Sequence, residues 1–275
     1  MTLDDIYVKK YSGKKVKFSV SKLSLSLIRS GADKTMVDSI VKKVSNEVYD
    51  GISTKEIYNR AFILLKGKNR HLASKYKLKR AIYELGPTGF PFERFVSGIL
   101  KYSGYTTETN IVLNGKCVTH EIDVIAKKEN QTTLIECKYH NEQGLKCNIK
   151  IPLYIQSRYL DVKANYKENN KIDAGWVVTN TKFTKDAIQY GSCSKLYLLS
   201  WNYPADNGLK DRIDRLGLYP ITVSTLLTKR EKQFLINRDI ILCRDLKGDT
   251  FYLDKLEVSD IRKKKILSEI NKLCS

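Results

Sequence analysis

Three charged residues in the middle of the chain stand among neighbours that are not charged. Asp123 is flanked by Ile122, Val124 and Ile125. After twelve intervening residues come Glu136-Cys137-Lys138, preceded by Leu134 and Ile135. Ionised side chains inside apolar, strand-like segments are costly unless they are paired or bound to a metal. Residues two apart on a strand share a face, so Glu136 and Lys138 point the same way. The chemistry open to such a set is ion pairing or cation binding.

The elements that must position these residues read as follows. Phe92, Phe95, Val96, Ile99 and Leu100 recur at helical spacing after Pro91, and Gly104-Tyr105 ends that helix. A strand is predicted over Thr109–Leu113, a turn at Asn114-Gly115, a return strand over Cys117–Ala126 and a third over Thr133–Tyr139. A helix over Asn148–Val162, a strand over Gly175–Thr179, a short helix over Thr184–Tyr190 and a strand over Lys195–Leu199 complete the segment. Asp123 thus lies late on the second strand of a meander, and Glu136 and Lys138 lie on the third.

This arrangement resembles the D…E-x-K signature of the PD-(D/E)XK nucleases, and its flanks are similar to the Mrr-like restriction-endonuclease branch, whose core order is αβββαβαβ. Ile122 stands where the wider family has its leading Pro. The resemblance implies an endonuclease that hydrolyses DNA phosphodiester bonds with Mg²⁺ or Mn²⁺. Asp123 and Glu136 would hold the metal through oxygen, with the Cys137 backbone carbonyl as a third donor. The metal would lower the pKa of bound water and polarise the phosphoryl oxygen. Lys138 would orient that water and stabilise developing charge. Glu93, on the helix before the meander, and Gln156, on the helix after it, match further family positions. Glu93 would reach the metal through water, and Gln156 would position Lys138 or the nucleophile. Glu121 reads as a solvated neighbour, and His120 and His140 as hydrogen-bonding residues at a cleft edge.

The first third has a different pattern. Two short strands over 6–10 and 14–18 flank Tyr11-Ser12-Gly13-Lys14, where Gly13 suits a positive-φ turn. Four helical segments follow. Ser53-Thr54-Lys55-Glu56 reads as a capping box that opens the third, and Gly86-Pro87-Thr88-Gly89 closes the fourth. Val8-Lys9-Lys10-Tyr11-Ser12-Gly13, Lys22, the run Asp50–Ile57 and the run Ser74–Ile82 resemble the ATP-cone, a regulatory nucleotide-binding module of ribonucleotide reductases and their repressors. The resemblance implies ATP or dATP as an effector, held by Val8, Lys9, Lys10, Tyr11, Lys22 and Thr54. The family commonly has a second basic residue where Tyr11 stands, and Lys9 is available to replace it.

The last third carries short helices around Leu209–Leu216, from Thr228 with Glu231 as a capping partner, and around Arg262-Lys263-Lys264-Lys265. The helical pair loosely resembles helix-hairpin-helix tails that grip nucleic acid, and equally reads as a packing or oligomerisation element. The whole is a multidomain α/β chain: a β-hairpin and four helices over 1–86, the αβββαβαβ core over 87–200, and a mainly helical region over 201–275.

Composition sets the outer limits. In 275 residues, 42% are hydrophobic and the net charge is +19, so the chain can build cores and favours polyanionic partners. The excess divides as +11 over 1–86, +4 over 87–200 and +4 over 201–275. The first value suits either a nucleotide sensor or a solvated lysine-rich surface. Six scattered cysteines without a C-x2-C pair argue against zinc and for reduced thiols. No signal peptide or membrane span is visible, and no P-loop. The expectation is a cytoplasmic, DNA-binding homo-oligomer, dimer or larger, that cuts DNA under nucleotide control. The alternative is a non-catalytic, nucleotide-gated DNA-binding regulator.

Overall fold

The computed structural model describes residues 5–167, 170–248 and 250–275. The chain opens with an antiparallel hairpin, β1 (Tyr7–Lys9) and β2 (Lys15–Lys17), which pairs Val8 with Val16 across a turn where Gly13 has φ 79°. Four helices follow: α1 (Val20–Ile28), α2 (Lys34–Asn46), α3 (Thr54–Lys68) and α4 (Arg70–Tyr83). Each starts at a side chain that accepts a backbone N–H: Ser19 from Lys22, Asp33 from Met36, Ser53 from Glu56 and Asn69 from Leu72. The box expected at Ser53 is only half formed. Glu56 does not reach back, because Arg60 one turn on and the Tyr49 hydroxyl donate to its carboxylate instead. Lys9 N–H donates to the Ile52 carbonyl at 2.9 Å, which fixes the hairpin beside the start of α3.

The central unit begins with α5 (Phe90–Lys101), then the meander β3 (Thr106–Asn114), β4 (Thr119–Lys128) and β5 (Gln131–Lys138). After the short β6 (Lys146–Cys147) come α6 (Lys150–Asn165), β7 (Ala174–Thr179), the short β8 (Lys182–Phe183), α7 (Lys185–Cys193) and β9 (Tyr197–Leu199). The sheet order is β3-β4-β5-β7-β9: antiparallel through the meander, parallel from β5 onward. β6 and β8 pair separately as a two-residue parallel ribbon. The expected strand–helix order is present, with that ribbon added and with α6 shifted two to three residues later than expected at both its start and its end.

The remaining chain forms α8 (Leu209–Leu216), α9 (Lys229–Ile236), α10 (Phe251–Lys255) and α11 (Asp260–Leu273), with single turns between them. The α9 capping box is complete, since Thr228 accepts from Glu231 N–H while Glu231 accepts from Thr228 N–H. These helices do not stand apart. One apolar core joins Leu78 and Ile82 of α4, Phe92 and Phe95 of α5, Ile135 of β5 and Ile266 and Ile270 of α11. Burying each such large side chain contributes about 1.5–3 kcal/mol. The opposite flank of α4, through Ala73 and Tyr76, belongs to the core of the hairpin and α1–α3. α4 is therefore a shared wall. Glu269 of α11 reinforces it from within: 6% exposed, it accepts from Ser74 of α4 at 2.7 Å, from Ser224 at 2.5 Å, and from the Thr225 N–H and hydroxyl at 3.0 and 2.7 Å.

Candidate active site

The sheet forks at Asp123. Pairing of β4 with β5 begins at Val124 and Ile135, so no ladder pair forms at Asp123 on that side. On the other side the β3 register runs Thr109 with Val124 and Ile111 with Ile122, which skips Asn110 and Asp123. Asn110 has φ 55°, a left-handed conformation that asparagine tolerates better than most residues. The side-chain alternation slips at the same point. Ile122 and Ile125 both pack with Val162 on the α6 side, while Val124 packs on the α5 side. β5 continues alongside β7 to Lys138 opposite Thr179, while β4 diverges from it. The fork leaves Asp123 free of ladder duty, and its carboxylate accepts the Cys137 N–H at 2.7 Å across the gap.

Glu136 is reached from α6. Arg158 donates to its carboxylate at 2.6 Å and also donates to the Glu121 carbonyl. Glu93 of α5 is 8% exposed and accepts from the Asn110 amide at 3.0 Å. The three carboxylates act on one another. Burial, then the charge of Asp123, raises Glu93 to about 6 and Glu136 to about 7. Burial also raises Asp123. Each is raised in spite of the hydrogen bond it accepts, because burial disfavours the ionised carboxylate and, at Glu93 and Glu136, the neighbouring Asp123 adds repulsion. Lys138 is exposed at the end of β5 and makes no ion pair among the described residues. Its carbonyl accepts from the Thr179 hydroxyl at 2.7 Å, and Asn180 bonds both the N–H and the carbonyl of His140 at 2.9 Å. These contacts hold the strand end. Gln156 of α6 has its Oε1 buried without a donor.

Of the residues expected to act together, Glu93, Asp123 and Glu136 do interact, and Lys138 shares the Glu136 strand end. Cys137 faces the opposite way, into the core, so only its backbone is available to the site. His120 is tied to Asp161 at 2.8 Å, and Asp161 also accepts from the N–H groups of Cys117 and Val118. That set fixes α6 to the β3–β4 turn. Sequence reasoning misses Asn110 and Arg158. A polar residue in a polar strand gives no sign of a left-handed φ, and an arginine two positions from Gln156 falls on a different face of α6, so spacing gives no sign of its role.

Oxygen donors of this type suit a hard divalent cation. Among the described residues, however, no three His, Cys, Asp or Glu side chains stand close enough to hold a metal ion as they are. The donor chemistry fits, and Arg158 engages one oxygen of the Glu136 carboxylate.

The residues expected to hold nucleotide lie elsewhere. Lys9, Lys10, Tyr11 and Thr54 line one cleft of about 1240 Å³ with residues of α4, α9 and the loop after β5. Val8 is not presented to it: at 4% exposure it belongs to the core of the first unit. Lys22 is exposed on α1 and is not part of the cleft lining.

Comparison with known proteins supplies the family. Residues 87–202 match the restriction-endonuclease family model of the Mrr type, and residues 219–274 match the C-terminal domain of AF1548-like proteins. An uncharacterised protein of Archaeoglobus fulgidus is 34% identical over 148 residues, which cover 54% of this chain and 81% of that one. The crystal structure of a protein of unknown function, AF1548, superposes with a TM-score of 0.57 at 29% identity, covering 68% of this chain and 98% of that one. The chain belongs to the AF1548-like family, with a PD-(D/E)XK-type restriction-endonuclease domain at its centre.

Proposed function

We propose that the protein is a divalent-metal-dependent DNA endonuclease, acting as a dimer or larger assembly and governed by a nucleotide effector bound to its N-terminal unit. The observation that carries this reading is the forked sheet. It brings Glu93, Asp123 and Glu136 within electrostatic reach of one another beside the exposed Lys138, in a pocket whose burial raises all three carboxyls.

Asp123, Glu136 and the Cys137 carbonyl are the groups that would hold Mg²⁺ or Mn²⁺, which when bound supplies Lewis acidity and an ionisable water. The remaining work belongs to the chain. Asn110 orients Glu93 through its amide. Lys138, exposed at a firmly held strand end, offsets charge developing on the phosphate. Gln156 offers a buried acceptor for the Lys138 ammonium or the attacking water. A supercoiled plasmid incubated with the protein and Mg²⁺ tests this, and nicking that disappears in Asp123→Ala and Lys138→Ala is the expected result.

One observation favours a second reading. Arg158 already neutralises part of Glu136, as it would in a non-catalytic, nucleotide-gated DNA-binding regulator. Retained DNA binding with no cleavage under any metal or nucleotide would favour that reading.

A further inference from the structure

The cleft beside the hairpin is walled by three parts of the chain: the hairpin and α3, α4, and α9 with the loop after β5. Eight of its lining side chains are cationic, and Glu84 is its one carboxylate. Glu84 is already shared. Lys77 Nζ lies 2.6 Å from one of its oxygens and Arg80 Nε lies 3.3 Å from the other. Lys77 also donates to the Thr222 carbonyl at 2.9 Å, and Lys232 of α9 donates to the Ser224 carbonyl at 2.6 Å. Two ammonium groups are thus held to one short segment, with carbonyl dipoles, the shared Glu84 carboxylate and the charge of Glu269 to balance them. Burial, and then the neighbouring Lys77, lowers Lys232 to about 7. The Tyr58 hydroxyl, also in the lining, is buried without a partner. Fixed, partly desolvated cations in a concave site are what binds a phosphate chain. The volume is above the usual range for a small-ligand pocket, about 300–1000 Å³, which leaves room for a base and sugar as well.

We propose that this cleft takes a nucleoside polyphosphate whose phosphate chain is held by Lys77 and Lys232 together with the hairpin lysines, so that the ligand joins the N-terminal unit to the C-terminal helix α9. The proposal rests on the reading of the N-terminal unit as a nucleotide sensor, and it adds the C-terminal wall, which that reading does not contain. It also gives the ligand a route to the candidate active site. Asn141 of the lining lies three residues after Lys138. Tyr139, next to Lys138, accepts the Gly86 N–H at 2.9 Å and donates to the Tyr83 carbonyl at 2.7 Å, and both Gly86 and Tyr83 line the cleft.

Calorimetric titration of the full chain with ATP, dATP and inorganic tripolyphosphate tests this. Variants Lys232→Met, Lys229→Ala and Lys10→Ala are compared with wild type. Lys229 is exposed, so its variant tests the C-terminal wall without risk to folding. The expected result is binding by wild type that weakens at least tenfold in Lys232→Met and in Lys10→Ala, and severalfold in Lys229→Ala, with tripolyphosphate showing the same order. Nucleotide binding that is lost in Lys10→Ala but unchanged in both α9 variants would leave the sensor reading intact and overturn the three-walled cleft. No binding by wild type would remove the sensor reading itself. A short DNA duplex that displaces nucleotide, and whose own binding is lost in Lys232→Met, would assign the cleft to the substrate and overturn the proposal.

Discussion

Neutralising Glu136 distinguishes a carboxylate kept for a cation from one kept for a salt bridge. If Glu136 existed to anchor Arg158, Glu136→Gln would strand a guanidinium whose side chain is only 14% exposed. Breaking such a pair costs about 3–5 kcal/mol. The direction of the Glu136 shift points the other way. Glu136 is raised from 4.5 to about 7 with Arg158 in place, by burial first and by Asp123 next. The folded state therefore binds the proton more tightly than the unfolded chain does. Stability in the metal-free protein is highest below the unfolded value and falls as pH rises through the folded one. A rise of that size corresponds to about 3 kcal/mol at full ionisation, or about 2 kcal/mol once screening at the partly exposed carboxylate is allowed for. Glu93, raised to about 6, acts in the same direction. In chelator at pH 8, Glu136→Gln is expected to raise the melting temperature by about 4–8 °C, with little change at pH 5. Excess Mg²⁺ should stabilise wild type by about 2–3 kcal/mol at a hundredfold over its dissociation constant, and the variant much less. Differential scanning calorimetry at the two pH values reads both effects. A melting temperature several degrees lower at pH 8 would refute the reasoning and make the Arg158–Glu136 pair structural.

The remaining predictions concern the groups around that carboxylate and the wall behind it. Lys138→Met should fold normally, because the side chain is exposed, and should lower the cleavage rate about 10²–10³-fold in single-turnover assays. Asn110→Gly keeps the left-handed backbone and removes the amide that holds Glu93, so cleavage should fall while the melting temperature changes little; Asn110→Val should instead destabilise by about 1–3 kcal/mol through backbone strain. Glu269→Ala leaves Ser74, Ser224 and Thr225 without their shared acceptor and should cost about 3–5 kcal/mol in denaturant unfolding, with faster proteolysis after residue 219.

The parts of the site carried by strand alternation and apolar context are legible in the amino-acid sequence. Asp123 and Glu136 stand out because their neighbours are isoleucine, valine and leucine, and Glu93 because it falls on the first turn of a strongly amphipathic helix. What escapes depends on three-dimensional register. The left-handed turn at Asn110 ends an all-polar run, Thr106 to Asn110, that carries no alternation to break. The role of Arg158 is set by how α6 rotates over β5, which spacing within α6 does not specify. The β6–β8 ribbon is two residues on each side, too short to leave a pattern. Glu269 resembles a solvated residue in a lysine-rich helix. Its offset from Ile266 and Leu273, three back and four on, nevertheless places it on the buried face. Val8 falls to a ligand by resemblance alone, whereas its hairpin alternation, with Lys9 outward, turns it toward the core.

Cleavage of a 5′-labelled DNA duplex by wild type and Asp123→Asn, with Mg²⁺, Ca²⁺ or chelator, tests the central claim most directly. The expected result is cutting by wild type in Mg²⁺ alone, none in Ca²⁺ or chelator, and none by Asp123→Asn, with DNA binding retained in every case. Equal cutting by wild type and Asp123→Asn, or cutting that survives chelation, would contradict it.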